Sequence, residues 1–292
     1  MISLVKRNVK LYFKDKGMFL TSLITPIILL VLYGTFLSGT YRSIFEDSLS
    51  IFNVSSSLID GCVAAQLVSS LLAVSCITVS FCSNLQMVQD KDNGIRMDLD
   101  ITPIKKSTIA LSYSIATFIS SVLINIVATF ICLGYMKYMG WYLSIIDIIS
   151  LFVDVILLVL FGTLLSSCIT FPLSTQGQAS AVGTIISAGY GFICGAYMPI
   201  SQFSTAVQKV ILCLPGTYGT SLLRNHCFNG IFKEMKSLNI PFELIQSLKE
   251  SMDCDLTVFD HLIEVNTMYI IVIGTLMGLT VIYILLNRKG KK

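Results

Sequence analysis

Long apolar runs, interrupted only by hydroxyl residues and glycines, alternate along the chain with short charged segments. Six runs of at least 18 largely uncharged residues stand out: Met18–Leu37, Ile59–Leu85, Thr108–Met136, Ile145–Thr170, Ala179–Met198 and Thr267–Leu286. Each matches the roughly 20 residues a helix needs to cross a hydrocarbon layer about 30 Å thick. Nothing shows the alternating segments of a membrane barrel, so the backbone must satisfy its own hydrogen bonds as helices. The pattern therefore predicts an all-α polytopic membrane protein with six transmembrane helices. Before the first run, Ile2, Val5, Val9 and Tyr12 recur at spacings of three and four, with Lys6, Arg7, Lys10 and Lys14 between them. That periodicity predicts an N-terminal amphipathic interfacial helix within residues 1–17. Between runs five and six, the segment 199–266 holds an apolar stretch, Phe203–Leu223, broken by Lys209 and Pro215-Gly216. Too short to cross, it predicts two re-entrant or interfacial outer helices. The more polar Phe232–Leu262, amphipathic around Phe242, Ile245 and Leu248, completes the segment as a second outer element or a loosely packed cap.

Composition sharpens this picture. Only 13% of the 292 residues are charged and 54% are hydrophobic, which excludes a compact water-soluble enzyme and, with 12 Tyr and 17 Phe, a disordered chain. A net charge of +3 gives no footing for nucleic acid. Of all the charged residues, only Asp60, Asp147 and Asp154 fall inside the six runs. Asp60 and Asp147 sit near run ends, where solvation is expected. Basic residues cluster in the amino-terminal segment, in the loop after the second run (Lys91, Arg96, Lys105, Lys106) and in the tail (Arg288, Lys289, Lys291, Lys292). By the positive-inside rule both termini and that loop face the cytoplasm. The basic start also has the outline of a cleaved signal, but the run is long and no small-x-small site follows it. No linker or repeat divides the chain, so residues 1–292 read as one transmembrane domain.

The cytoplasmic loop, residues 86–107, balances four basic residues against Asp90, Asp92, Asp98 and Asp100. Ile95 and Leu99 are four apart, so a short helix starting near Asn93 would present an apolar ridge, and Pro103 would end it. Two readings stand, an ordinary inside loop or a plug for another protein's groove. The amphipathic start likewise reads as a generic anchor or as an elbow beside a docking surface.

The basic entry helix with Tyr12-Phe13-Lys14-Asp15-Lys16, a first run containing Leu23-Ile24-Thr25-Pro26, the inner loop with Gly94 and Thr102-Pro103, and Pro215, Tyr218 and Leu222-Leu223-Arg224-Asn225 before the last run together resemble the permease subunits of type-2 ATP-binding-cassette (ABC) exporters. The likeness extends over nearly the whole chain in the number, order and spacing of its runs. It implies that the inner loop carries a coupling helix for a separate cytoplasmic ABC ATPase subunit, with Asp90, Asp92, Gly94, Ile95, Met97, Leu99, Thr102 and Pro103 as coupling residues. It also implies a permease homodimer or heterodimer in the plasma membrane, outer helices that cap the exit, and ATP and Mg bound on the partner. Asp98 and Asp100 stand where the family usually has Glu-rich sequence. This chain has no G-x-x-x-x-G-K-[ST] to cradle nucleotide phosphates, so it is expected to bind no cofactor and to be no enzyme.

Candidate path residues are few. Asp154 lies about ten residues into the fourth run, roughly 15 Å deep at about 1.5 Å per residue. A carboxylate there either meets a polar or cationic cargo or bonds to neighbouring helices. Ser75 and Thr78 belong to a hydroxyl-rich second run, with Ser69, Ser70 and Ser80. Such residues would suit an amphipathic drug, peptide or lipid-linked substrate, and equally helix packing. By family analogy the long outer segment favours a drug or antimicrobial peptide over a polysaccharide or lipid-linked glycan. Gly183, Ser187, Gly191 and Gly195 recur every four residues, and Gly274-x-x-x-Gly278 repeats the spacing; both are small-residue faces for tight packing or for a moving or dimer seam. Cys213, Cys227 and Cys254 are expected to face outward, with Cys227–Cys254 open to a disulfide. His226 and His261 lack metal-ligand spacing. Neither H-E-x-x-H nor G-x-S-x-G occurs, which weighs against the rival class of embedded enzyme. A channel would need a charged ring or pore signature that is not evident.

Overall fold

A computed structural model describes residues 1–50, 52, 54–258 and 261–289; Lys291 and Lys292 of the basic tail lie outside them. Helix α1 (Ile2–Lys14) precedes a continuous helix made of α2 (Lys16–Leu32), a π turn (Tyr33–Leu37) and α3 (Ser38–Leu49). Then come α4 (Ser56–Asp92), α5 (Ile95–Asp100), α6 (Lys106–Met139), α7 (Ile145–Thr170) and α8 (Gln176–Ile193). A 3₁₀ turn (Ile200–Gln202), α9 (Thr205–Leu212), α10 (Pro215–Ser237) and α11 (Phe242–Ser251) lead to a small antiparallel hairpin, β1 (Leu256–Val258) and β2 (His261–Ile263), and to α12 (Val265–Lys289).

The molecule is an all-α, multi-pass membrane protein. Five helices are long and apolar enough to span a bilayer: Lys16–Leu49, α4, α6, α7 and α12. The predicted fifth run differs. Its helix, α8, has 18 residues, includes Gln176, Gln178 and several Gly and Ser, and is not among the five. It stops short of Met198 because the Gly191 carbonyl accepts from the amides of Ala196 (2.8 Å) and Tyr197 (3.0 Å), while Gly195 takes a left-handed φ of +72°.

Helix α4 is the axis of the fold. Its apolar window is entirely buried, and it touches α2, α3, α6, α7, α8 and α10. Such contact on all sides needs close backbone approach. A Cβ on Gly162 would meet the Cys76 carbonyl and the Ser80 and Ile77 side chains of α4 at 3.0–3.1 Å, and one on Gly219 would collide with Leu158. The hydroxyls of Ser80 and Thr78 donate to carbonyls one turn back along α4, and Ser75 donates to Asn125 of α6 at 2.8 Å. A polar helix surface is thereby made compatible with an interior position.

The segment 199–258 is more helical and more buried than its polarity suggests. Pro215 occupies the first turn of α10, where its missing N–H costs nothing. The helix then continues 14 residues beyond Leu223, antiparallel to the first half of α7, with Gly219 beside Leu158 and Asn229 on Asp147 at 2.6 Å. Phe232, Met235, Ile240, Ile245, Leu248 and Met252 are buried, so this part is no loose cap.

Several expectations are corrected. Asp147 is 2% exposed, held by the Asn229 amide and by a capping box with Ser144. Asp60 pairs with Arg42 at 2.9 Å, so neither carboxylate is simply solvated. Cys227 and Cys254 are free thiols, 1% and 0% exposed, because both side chains point into the core. The buried positions of α1 are Asn8 and Tyr12, with Leu4 partly covered, whereas Ile2 is 82% exposed.

Valine at Gly162 or Gly219 is expected to lower stability by about 1–3 kcal/mol through overpacking. Alanine at Gly274 or Gly278, where a Cβ meets nothing within 4 Å, is expected to be neutral or to gain up to about 1 kcal/mol of helix propensity. Melting of monodisperse protein in detergent, followed by fluorescence-detected gel filtration, checks both.

Candidate functional site

A cavity of about 1190 Å³ runs between α2 with its π turn and α8, reaching α3 at one end and the Cys82, Leu85 and Gln89 side chains of α4 on its floor. The α2 side is mainly apolar (Ile24, Ile28, Leu29, Leu32, Phe36), with Thr21 and Thr25 toward α1. The α8 side carries Ser180, Thr184 and Ser187 with Gly183 and Ala188. These small side chains at helical spacing hollow one face of α8 and leave hydroxyls along it. Among the described residues the lining holds one charged side chain, Asp15, and this carboxylate caps α2 by accepting from the Met18 amide at 3.0 Å.

None of Asp154, Ser75 and Thr78 lines the cavity. Thr78 bonds back to Val74 and Ser75 bonds across to Asn125. Asp154 of α7, 1% exposed, meets the His226 Nδ1 of α10 and accepts from the Tyr269 hydroxyl of α12, each at 2.5 Å. A buried carboxylate is tolerable when donors surround it. Here two donors from two other helices make it a three-helix tie, and the side chain faces no open space.

A second buried cluster lies where α10 passes the end of α8. Arg224, 1% exposed, donates to Asp253 at 2.8 Å and to the Gly195 carbonyl at 2.6 Å. Asp253 also accepts from the Ile200 amide. Burial pushes the Asp253 carboxyl above its ordinary pKa, against the opposing pull of the Arg224 charge and the Ile200 amide. The φ of +72° at Gly195 turns that carbonyl toward the guanidinium.

The predicted coupling residues sit around the end of α4, where three consecutive side chains each hold a different part of the protein. Asp90, 5% exposed, pairs with Arg7 of α1 at 2.9 Å and accepts from Tyr113 of α6. Burial draws the Arg7 pKa down, but the hydrogen bond and charge of Asp90 outweigh it and leave the guanidinium above its ordinary value. Lys91 donates to the Phe171 and Leu173 carbonyls just past α7, at 2.6 and 2.9 Å, where a helix C-terminus favours a cation. Asp92 accepts from the Gln176 amide at the start of α8, 3.2 Å away, where an anion is favoured. Gly94, at φ +75° with open space around it, then redirects the chain into α5.

The exposed apolar pair is Met97 of α5 and Ile101 at its C-cap, at 72% and 86%, rather than Ile95 and Leu99. Leu99 turns inward with Ile104 and Leu4 onto Met87, Ile109 and Tyr113, which removes its side chain from water. Arg96 pairs with Asp100 at 3.3 Å, Thr102 caps back onto the Leu99 carbonyl, and Pro103 is exposed.

The small-residue stripe divides. Gly183 and Ser187 border the cavity, Gly191 lies under the Tyr197 ring, and Gly195 forms the α8 terminus. A Cβ on Gly274 or Gly278 would meet nothing within 4 Å among the described residues, so the spacing does not bring a neighbouring helix close there. Arg7, Tyr113, His226 and Tyr269 had no signal in local spacing, since each acts on a residue at least 23 positions away.

Replacing Asp253 with alanine leaves a buried guanidinium uncompensated and is expected to cost about 3–5 kcal/mol, seen as loss of monodisperse protein. Reversing the surface end of the Asp90 pair with Arg7→Glu should lower the melting midpoint, and Arg7→Glu with Asp90→Arg should recover part of the loss in the same assay.

Residues 1–228 match the sequence model of a family described as ABC-2 type transporter. No curated protein matches the chain at a significant level. The match extends from α1 into α10 and takes in the cavity and the α4–α5 junction, and the chain belongs to that family.

Proposed function

We propose that this ABC-2 permease subunit forms half of the membrane pathway of an ATP-driven exporter. A second permease chain, identical or related, completes the pathway in the plasma membrane. Separate ABC ATPase subunits on the cytoplasmic side, where both termini lie, hold ATP and Mg. The carrying observation is the cavity between α2 and α8, apolar on one wall and hydroxyl-lined on the other, with a single charged side chain already used as a helix cap. Such a lining suits an amphipathic cargo without strong charge, of the drug or antimicrobial-peptide class, and offers nothing to pair with a heavily anionic one. In this reading α8 is the sixth span, with its polar content facing the path and not lipid. Helices α9 and α10 form a re-entrant pair whose inner turn reaches the level of Leu158.

Nucleotide-driven movement of the ATPase would enter through Met97 of α5 and Ile101 at its end. The Asp90-Lys91-Asp92 triplet would carry it onward, since these residues bond to α1 and α6, to the end of α7 and to the start of α8. The wall of the cavity is thus one hydrogen bond from the base of the coupling helix.

Purification in mild detergent from the native host is expected to bring an ABC ATPase with the chain. A burying contact contributes about 1.5–3 kcal/mol per large aliphatic side chain, and about 1.4 kcal/mol is tenfold in affinity. The pair Met97→Asp and Ile101→Asp should therefore cut retained ATPase at least about tenfold without lowering yield or melting midpoint. An undiminished ATPase band would remove α5 from the docking surface.

A further inference from the structure

We propose that a slot between α2, α4 and α6 holds one hydrocarbon chain of a membrane amphiphile, and that the Tyr33 ring is the partition between this slot and the α2–α8 cavity. The slot, about 200 Å³, is floored by Leu67, Val68 and Leu71 of α4 and walled by Cys132 and Tyr135 of α6. Its mouth lies between Leu30 and Ile131, which are 50% and 59% exposed.

Three observations select the occupant. The lining is almost wholly apolar, and an apolar cavity of about 150 Å³ is known to stay dry yet accept an apolar ligand, so water has no partners to hold it there. The mouth opens within exposed aliphatic stripes, Ile27, Leu30 and Val31 on one side and Leu123, Val127 and Ile131 on the other, on helices whose length and apolarity fit a bilayer; hydrocarbon is the medium such a surface meets. Gly34 sits beside the mouth with no atom within 4 Å of a Cβ position, which leaves the entrance clear.

The partition is a single side chain. Tyr33 lines both spaces and is 3% exposed. Its hydroxyl donates to the Ala196 carbonyl beyond α8 at 3.2 Å, so the ring is tied to the far wall of the cavity. It also opens the π turn, Tyr33–Leu37, a backbone form that often marks functional positions within helices. The chain site stands on its own geometry. Its consequence, that an amphiphile already in the bilayer can present a tail next to the path, rests on the cavity being the path.

The test uses the full chain in phosphatidylcholine vesicles containing a phosphatidylcholine with a diazirine at the middle of one acyl chain, irradiated and mapped by peptide mass spectrometry. Adducts are expected on Leu67 and Leu71, which are otherwise buried, as well as on the exposed Val127 and Phe130. Gly34→Trp should reduce the Leu67 and Leu71 adducts at least about fivefold and leave those on Val127 and Phe130 unchanged. If that variant is not monodisperse, Val68→Phe, which fills the floor, serves the same comparison. Adducts on Val127 and Phe130 but none on Leu67 and Leu71 would overturn the site, whether the slot is closed by packing or covered by a second copy. So would slot adducts that survive filling. For the partition, Tyr33→Ala should raise adducts at Leu29 and Tyr197 severalfold over wild type, and the Tyr33→Ala, Gly34→Trp double variant should cancel that rise. An unchanged level at Leu29 and Tyr197 would overturn the partition. None of these readouts depends on transport, so failure of the exporter reading would not be mistaken for failure of the site.

Discussion

A helix enclosed on every side inside a bilayer has no water to turn to, and α4 is such a helix. Most polar side chains on it find a partner within the protein, with Gln66 and the Gln86 amide nitrogen as exceptions, and the cost of missing one in an apolar medium is several kcal/mol. The architecture follows from this requirement. Ser75 reaches Asn125 of α6, and Asn84 reaches Ser166 and Thr170 of α7. Gly162 lets α7 close against the α4 backbone. The surrounding helices are placed by what α4 needs as much as by what they need to bury.

The same logic explains where charge survives. Asp154, Asp147 and Asp253 are all buried, and each is matched with at least one donor from another element: His226 and Tyr269 for the first, Asn229 beside the helix's own cap Ser144 for the second, Arg224 and Ile200 for the third. Two of these ties, at Asp147 and Asp154, join α10 to α7, which is why a segment with the composition of an outer loop is instead locked into the interior. The cavity is the complement of this arrangement. Apart from the Asp15 cap, the charged groups that bind the bundle are withdrawn from it, and among the described residues its walls keep hydroxyls, the amides of Gln89, Gln176 and Gln202, and apolar surface.

Much of the fold was legible in the sequence because bilayer thickness imposes a length and a composition on each crossing helix. Five of six predicted spans coincide with long apolar helices, and the breaks at Pro103 and Pro215 fall outside helices or at a first turn. The site was less legible, for two physical reasons. Periodicity reports which residues share a face but not what that face meets: Ile95 and Leu99 share a spacing with Met97 and Ile101, and the cluster at Met87, Ile109 and Tyr113 takes in Leu99 while Met97 and Ile101 stay exposed. Depth along a span likewise does not distinguish a path from an interior tie, and the two readings of Asp154 differ only in partners far along the chain, His226 and Tyr269. The hydroxyls of Ser180 and Thr184 lay one position away from the small-residue stripe and were masked by it.

Helix α4 has 37 residues, about 55 Å at about 1.5 Å per residue, against a hydrocarbon layer of about 30 Å. Some 25 Å of unbroken rod is therefore left to stand clear of the oily layer, with α5 jointed to its tip through Gly94. That end is no free overhang: Asp90, Lys91 and Asp92 lash it to α1, α6, the exit of α7 and the start of α8, so the rod and its sheath are joined beyond the layer as well as within it.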